Sequence, residues 1–290
     1  MRLKADLTLL FVALIWGFSF IVQRTAAQQV GMFVFNAVRW SLGALIMLPF
    51  VRFRLNLNRS TLPWMLAGGA LLFFASGFQQ AGLEYTTAGN AGFITGAYVV
   101  IIPLLLSIFW KEKQPWYIWL AALITSIGVY LLGGAGRLDI NLGDALVLAG
   151  AVLWALHVII TGKGVKKLRV LQFVTGQYLV CAIINITFGL WLQQDSIPRL
   201  FPAWMHIVYL AIAATGIGFT LQAYGQQHAP PADAAIILSM ETVFAGLFGW
   251  LLLSEKMTSI QLVGCSLIMG AILLSQLIGG REASPTRLLE

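Results

Sequence analysis

The chain has 290 residues, of which 59% are hydrophobic and only 10% charged. That balance leaves too few polar side chains to solvate the surface of a soluble domain and places the chain among integral membrane proteins. A net charge of +7 would suit a nucleic-acid binder, but the basic residues lie in short stretches between apolar runs and read as a topology signal.

A helix needs about 20 apolar residues to cross the ~30 Å hydrocarbon core. Runs of that size are expected to span at 7–26, 33–51, 63–81, 88–109, 116–134, 143–163, 170–192, 205–224, 232–253 and 259–279. The expected fold is all-α, an integral membrane protein of ten transmembrane helices. The first run is taken as a retained span: it is long, ends in Gln23-Arg24, and lacks a small-x-small cleavage site followed by a soluble domain. The connecting segments are too short to hold a soluble domain. The stretch 281–290 is expected to be a polar tail, with Leu289-Glu290 resembling a cloning scar.

Counting from a cytoplasmic N-terminus, the inner segments carry Arg2, Lys4, Arg52, Arg54, Arg59, Lys111, Lys113, Lys163, Lys166, Lys167, Arg169, Arg281 and Arg287. The outer loops carry Arg24, Arg137, Arg199 and Lys256. Arg39 alone lies within a span. This bias puts both termini in the cytoplasm.

The chain also matches itself. At an offset of 138, Asp6 falls on Asp144, Trp16 on Trp154 and Phe35 on Phe173. At an offset of 143, Gln79 falls on Gln222, Gly82 on Gly225, Ala91 on Ala234, and Glu112-Lys113 on Glu255-Lys256. Five spans per repeat is an odd number, so the second set must enter the membrane with the opposite orientation. Inverted repeats are a common transporter design, with the substrate between the halves. The two Glu-Lys pairs are read as solvated helix ends that mark the register.

Trp16 lies near mid-span, away from the interfacial belt where tryptophans usually sit. Trp154 lies at the same depth in span six. Both are expected either to pack between helices or to form aromatic walls of a central cavity. Ser19 follows Trp16 on the same helical face, and the 138 offset sets it opposite His157. His157 is the kind of lone helical histidine that is more often a packing residue than a proton carrier, so both readings stand.

Arg39 in span two is assigned a structural or gating role, with its fork also able to bind a carboxylate. Gln79 and Gln222 are candidates for hydrogen bonds to a zwitterion, or for bonds between helices. In span four, Gly92-x-x-x-Gly96 permits close helix approach, and Pro103 is expected to bend the helix as a structural or gating element. Tyr98, aligned with Glu241 by the 143 offset, and Tyr224 are further cavity candidates.

Glu241 is the one acid near the middle of a span. An ionisable group at that depth costs about 2.5–3.5 kcal/mol on insertion scales, which makes it a candidate proton carrier or ammonium ligand. A structural hydrogen bond to a neighbouring helix is the alternative.

Cys181 and Cys265 lie inside apolar spans with no neighbouring metal-ligand pattern. No His-Glu-x-x-His, Gly-x-Ser-x-Gly or phosphate-loop motif occurs. No cofactor, metal or nucleic-acid partner is therefore expected. A polytopic membrane enzyme or a channel remains the different-class alternative.

The opening Ala13-Leu-Ile-Trp-Gly-Phe-Ser-Phe20, Arg39 in the second span, and the run Val243-Phe-Ala-Gly-Leu-Phe-Gly-Trp-Leu-Leu-Leu-Ser-Glu255 resemble the EamA repeats of the drug/metabolite transporter superfamily. The resemblance implies two repeats, 1–136 and 137–280, followed by a cytoplasmic tail at 281–290. It also implies a multi-pass protein of a bacterial-type inner membrane that exports small metabolites by alternating access. Such repeats often carry Pro where this chain has Thr242. Within the family the chain looks most like amino-acid exporters of the YddG kind. The expected cargo is aromatic or neutral amino acids; cationic drugs or other metabolites such as nucleotide bases are the alternative. Oligomeric state and coupling ion stay open.

Overall fold

The computed structural model describes residues 2–132, 141–253 and 258–282. Among them secondary structure is helical throughout. Helices α1 (Arg2–Ala27), α2 (Met32–Met47, extended by a tight 3-10 turn, Leu48–Val51) and α3 (Leu62–Gly82) are followed by α4 (Ala88–Thr95) and α5 (Tyr98–Phe109). Next come α6 (Trp116–Leu132), α7 (Leu142–Gly164) and α8 (Val170–Leu192). The chain continues through α9 (Trp204–Tyr209), a π-helical segment (Leu210–Phe219) and α10 (Thr220–Gln226). It ends with α11 (Pro231–Leu238), α12 (Met240–Leu253) and α13 (Ser259–Glu282).

Among the described residues, eight stretches are long and apolar enough to cross a membrane, and 116–131 and 259–275 are shorter apolar helices. About half of each long stretch is buried inside the bundle. The other half turns out large apolar side chains such as Leu45, Phe74, Ile108, Leu148, Ile183 and Leu251. A surface that apolar on every side suits lipid and not water. The protein is an integral membrane protein with multiple spans. Arg137, the Glu255-Lys256 pair, Arg287 and the tail from 283 onward lie outside the described residues.

Three expected spans depart from single straight helices. The run 88–109 is broken at Gly96-Ala97, and the run 232–253 is broken at Ser239. Neither break is at a proline. Pro103 sits inside α5, beyond the break. The break in the later run falls just before Thr242, the place where EamA repeats often carry Pro. The third departure is the π-helical segment, whose i→i+5 bonding widens the turn between α9 and α10.

Packing comes in matched sets. Helix α1 lies along α12 and along the π segment with α10, while α7 lies along α4–α5 and along α3. Helices α2 and α8 pair with each other, as do α6 and α13. Glycines set the closest approaches. A Cβ on Gly17 would sit 2.5 Å from Phe244 Cβ and 2.9 Å from the Glu241 carbonyl oxygen. One on Gly128 of α6 would sit 2.7 Å from the Gly264 carbonyl of α13. At the start of α7, Asn141 and Asp144 form a reciprocal capping box, and Asp144 also accepts a 2.5 Å bond from Thr86. Ion pairs join Arg2 to Asp233 at 2.7 Å and Lys163 to Glu112.

Candidate functional site

The helices converge on a cavity reached by side chains of α1, α2, α3, α4, α5, α7, the π segment, α10, α11 and α12. Helices α6 and α13 contribute nothing to its lining. On α1 the lining residues are Trp16, Ser19, Phe20 and Gln23, whose spacing puts them on one helical face. The free volume is about 40 Å³, room for about three waters at roughly 10–15 Å³ each. Any larger cargo requires the walls to part.

The walls are aromatic. The Phe219 ring lies 4.6 Å from Trp16 and 5.6 Å from Trp154, nearly parallel to the latter, with an angle of 22°. Phe219 thus joins the two indoles, and nothing in its sequence neighbourhood distinguished it from other phenylalanines of apolar runs. Both indole N–H groups are satisfied, as buried indoles usually are. Trp16 donates to the Ala214 carbonyl at 3.1 Å, and Trp154 donates to Gln79 Oε1 at 2.7 Å. The first bond depends on the π segment. Gly218, in the same segment, leaves room for the Trp16 indole: an added Cβ would lie 2.7 Å from Trp16 Nε1.

The polar lining forms a network at one end. Arg39 is buried and donates from Nε to Thr215 Oγ1 at 2.9 Å and from Nη1 to Gln23 Oε1 at 3.1 Å. Its guanidinium also stacks 5.0 Å from the centre of the Trp40 ring. Gln79 Nε2 reaches the same Gln23 oxygen at 3.4 Å. Among the described residues Arg39 has no carboxylate within ion-pair distance.

The other pole is Glu241. The two broken helical runs meet here, because Tyr98 begins α5 and Glu241 is the second residue of α12. The Tyr98 hydroxyl donates to Glu241 Oε1 at 3.0 Å. No basic side chain among the described residues pairs with Glu241. Gly96, beside the first break, faces the second: an added Cβ would lie 3.1 Å from Thr242 Cγ2.

Two other lining groups have polar atoms without a hydrogen-bond partner among the described residues. They are both amide atoms of Gln222 and the hydroxyl of Thr95, each in a residue at most 4% exposed.

Of the residues singled out by sequence, Trp16, Ser19, Arg39, Gln79, Tyr98, Trp154, Gln222 and Glu241 line this cavity. His157 does not. Its ring turns towards α8, with Nε2 3.0 Å from Gln177 Oε1, and packs edge-on against Trp154 and Phe219. Val158, one residue on, takes the lining position. Gln177 is the repeat counterpart of Arg39, so the polar partner across from α7 pulls the histidine off the cavity face. Tyr224 also lies elsewhere: two residues past Gln222, it is turned outward, 40% exposed, in a depression with Arg52 and Arg169. Pro103 is buried away from the lining. Gln23, Phe20, Thr95, Val158, Phe219 and Leu238 complete the wall.

Comparison with known proteins agrees with a transporter. The profile of the EamA-like transporter family matches the chain twice, over residues 3–134 and 141–277. An uncharacterized transporter of Archaeoglobus fulgidus is 31% identical over 280 residues, covering 95% of this chain and 87% of the relative. The threonine/homoserine exporter RhtA of Salmonella typhimurium is 24% identical, covering 85% and 82%. The biotin transporter of Escherichia coli K12 is 26% identical, covering 82% and 81%. A solved crystal structure superposes with a TM-score of 0.79 at 19% identity, over 98% of this chain and all of that one. The relatives named here are transporters, not enzymes. With the family profile matched twice over nearly its full length, the chain belongs to the EamA-like transporter family.

Proposed function

We propose that this protein is a secondary carrier that exports small metabolites, amino acids foremost, by alternating access. Two inverted five-helix units, 1–136 and 137–280, would rock about the central cavity of a bacterial-type inner membrane, with both termini in the cytoplasm. The observation that carries the reading is the cavity itself: it is lined from both family-matched regions, walled by indole and phenyl rings, and holds buried groups of opposite charge type. Aromatic walls with a few placed polar groups fit small amphipathic cargo. The α6–α13 pair stands aside from the cavity, as expected of a peripheral pair that leaves the other helices free to rock. The threonine/homoserine exporter among the relatives supports amino acids, and the biotin transporter supports the broader class of small metabolites.

The test is counterflow in proteoliposomes. Purified protein should exchange radiolabelled aromatic and neutral amino acids across the bilayer and leave ethidium-like cations behind. Exchange of the cations without any amino acid would replace this reading with the drug-export one.

A further inference from the structure

Resting on that reading, we infer that the cavity binds its cargo as a dipolar ion, with the carboxylate on Arg39 and the ammonium on Glu241. A guanidinium offers a fork of donors matched to a carboxylate. Arg39 uses Nε and Nη1 on neutral oxygens of Thr215 and Gln23, and its Nη2 donates to no described group. Glu241 has one oxygen on the Tyr98 hydroxyl, and Oε2 accepts from no described group. Both side chains are at most 3% exposed and line one cavity, yet neither has an ionic partner among the described residues.

Buried charges are ordinarily paired, because an unpaired one loses its hydration without compensation. Two poles of opposite type, held apart by their own neutral partners, are completed together by a ligand that carries both signs. The unpartnered amide of Gln222 and hydroxyl of Thr95 point to the same conclusion. They are buried polar groups that a bound molecule would satisfy, and Gln222 can serve either end because it offers both donors and an acceptor. The aromatic walls between Trp16, Phe219 and Trp154 then receive the side chain.

The experiment crosses three ligands with charge variants. Phenylalanine carries both ends, 3-phenylpropanoate only the carboxylate, and phenethylamine only the ammonium. Binding is read from tryptophan fluorescence of the purified full chain, and transport from counterflow inhibition. Wild type is expected to bind phenylalanine at least tenfold more tightly than either one-ended analogue. In Glu241→Gln, phenylalanine should weaken about tenfold while 3-phenylpropanoate holds its wild-type affinity. In Arg39→Gln, phenylalanine should weaken and phenethylamine should hold. Because Arg39 also ties α2 to Gln23 and Thr215, Arg39→Lys serves as a second variant: it keeps the charge and should keep the preference for phenylalanine over phenethylamine.

Equal binding of the three ligands by wild type overturns the inference. So does a Glu241→Gln protein that loses phenylalanine and 3-phenylpropanoate alike. These results differ from failure of the export reading, in which wild type exchanges no amino acid at all.

Discussion

Trp16 and Trp154 each fix an indole by its N–H, one to a backbone carbonyl and one to a glutamine amide, so their rings stand as rigid walls. Replacing either with alanine removes stacking and burial worth roughly 1–3 kcal/mol to an aromatic cargo, and little to a small one. Trp16→Ala and Trp154→Ala are therefore expected to raise the half-saturating concentration for phenylalanine by about tenfold or more in counterflow, while threonine shifts by much less. Equal losses for both, with a lowered melting temperature, would mean that the rings serve packing alone. These two residues were legible in sequence because a tryptophan at mid-span is out of its usual place. Glu241 was legible because it is the one acid at that depth. Phe219 was not, since a phenylalanine in an apolar run carries no mark. His157 was misleading: a shared helical face with Trp154 left its direction uncertain by one residue, and its bond to Gln177 decided it.

At the scale of helices, the central contact is α1 against α12, and it depends on Gly17. An alanine there would place its methyl 2.5 Å from Phe244 Cβ, 2.9 Å from the Ala245 nitrogen and 2.9 Å from the Glu241 carbonyl oxygen. Two of those three atoms are backbone and cannot rotate aside, so the helices must separate. Overpacking of this kind costs about 1–3 kcal/mol. Gly17→Ala is expected to lower the melting temperature in detergent and to disturb the Tyr98–Glu241 bond carried by the shifted helix. Gly270→Ala, where nothing lies within 4 Å of the added Cβ, is the matched control and should leave stability unchanged or slightly raised. A Gly17→Ala protein as stable as that control would show that α1 and α12 are less closely held than the distances state. Element positions were largely legible, because run length and the bilayer fix each other. The breaks at Gly96-Ala97 and Ser239 were not, because neither has a proline, and backbone interruption at a packed centre depends on neighbours distant in sequence.

Across the whole molecule, the basic residues at the ends of the helices make a testable map. In a chain with Cys181 and Cys265 replaced by alanine, single cysteines at Arg59 and Lys167 should react in whole cells only with membrane-permeant maleimides. A cysteine at Arg199 should react with impermeant reagent as well. All three positions are exposed in the structure. Labelling of Arg59 and Arg199, which lie in corresponding loops of the two family-matched regions, from the same side would overturn the proposed inverted arrangement. The repeat was legible as ordered matches at two offsets, and the packing pairs α1–α12 with α7–α4–α5 in a parallel way. The cavity's small volume was not legible, because it depends on how closely side chains from helices distant in sequence pack around it.

The π-helical stretch has a consequence for phase. An ordinary α-helix turns about 100° and rises 1.5 Å for each residue. The looser winding of Leu210–Phe219 therefore sets the angular position of everything that follows it, turning Gln222 into the cavity and Tyr224 away. Removing a single residue from this stretch would let it rewind as a regular helix. The outer face would stay apolar enough for lipid, but the tighter winding would reset the angle of Gln222 relative to Tyr209, and the Ala214 carbonyl, turned into the regular ladder, would no longer be offered to Trp16. A helix of nearly unchanged length and hydropathy would then present a different lining. In this part of the bundle the cavity lining is written as a rotation, so an insertion or deletion of one residue can alter it while leaving every lining side chain in the sequence.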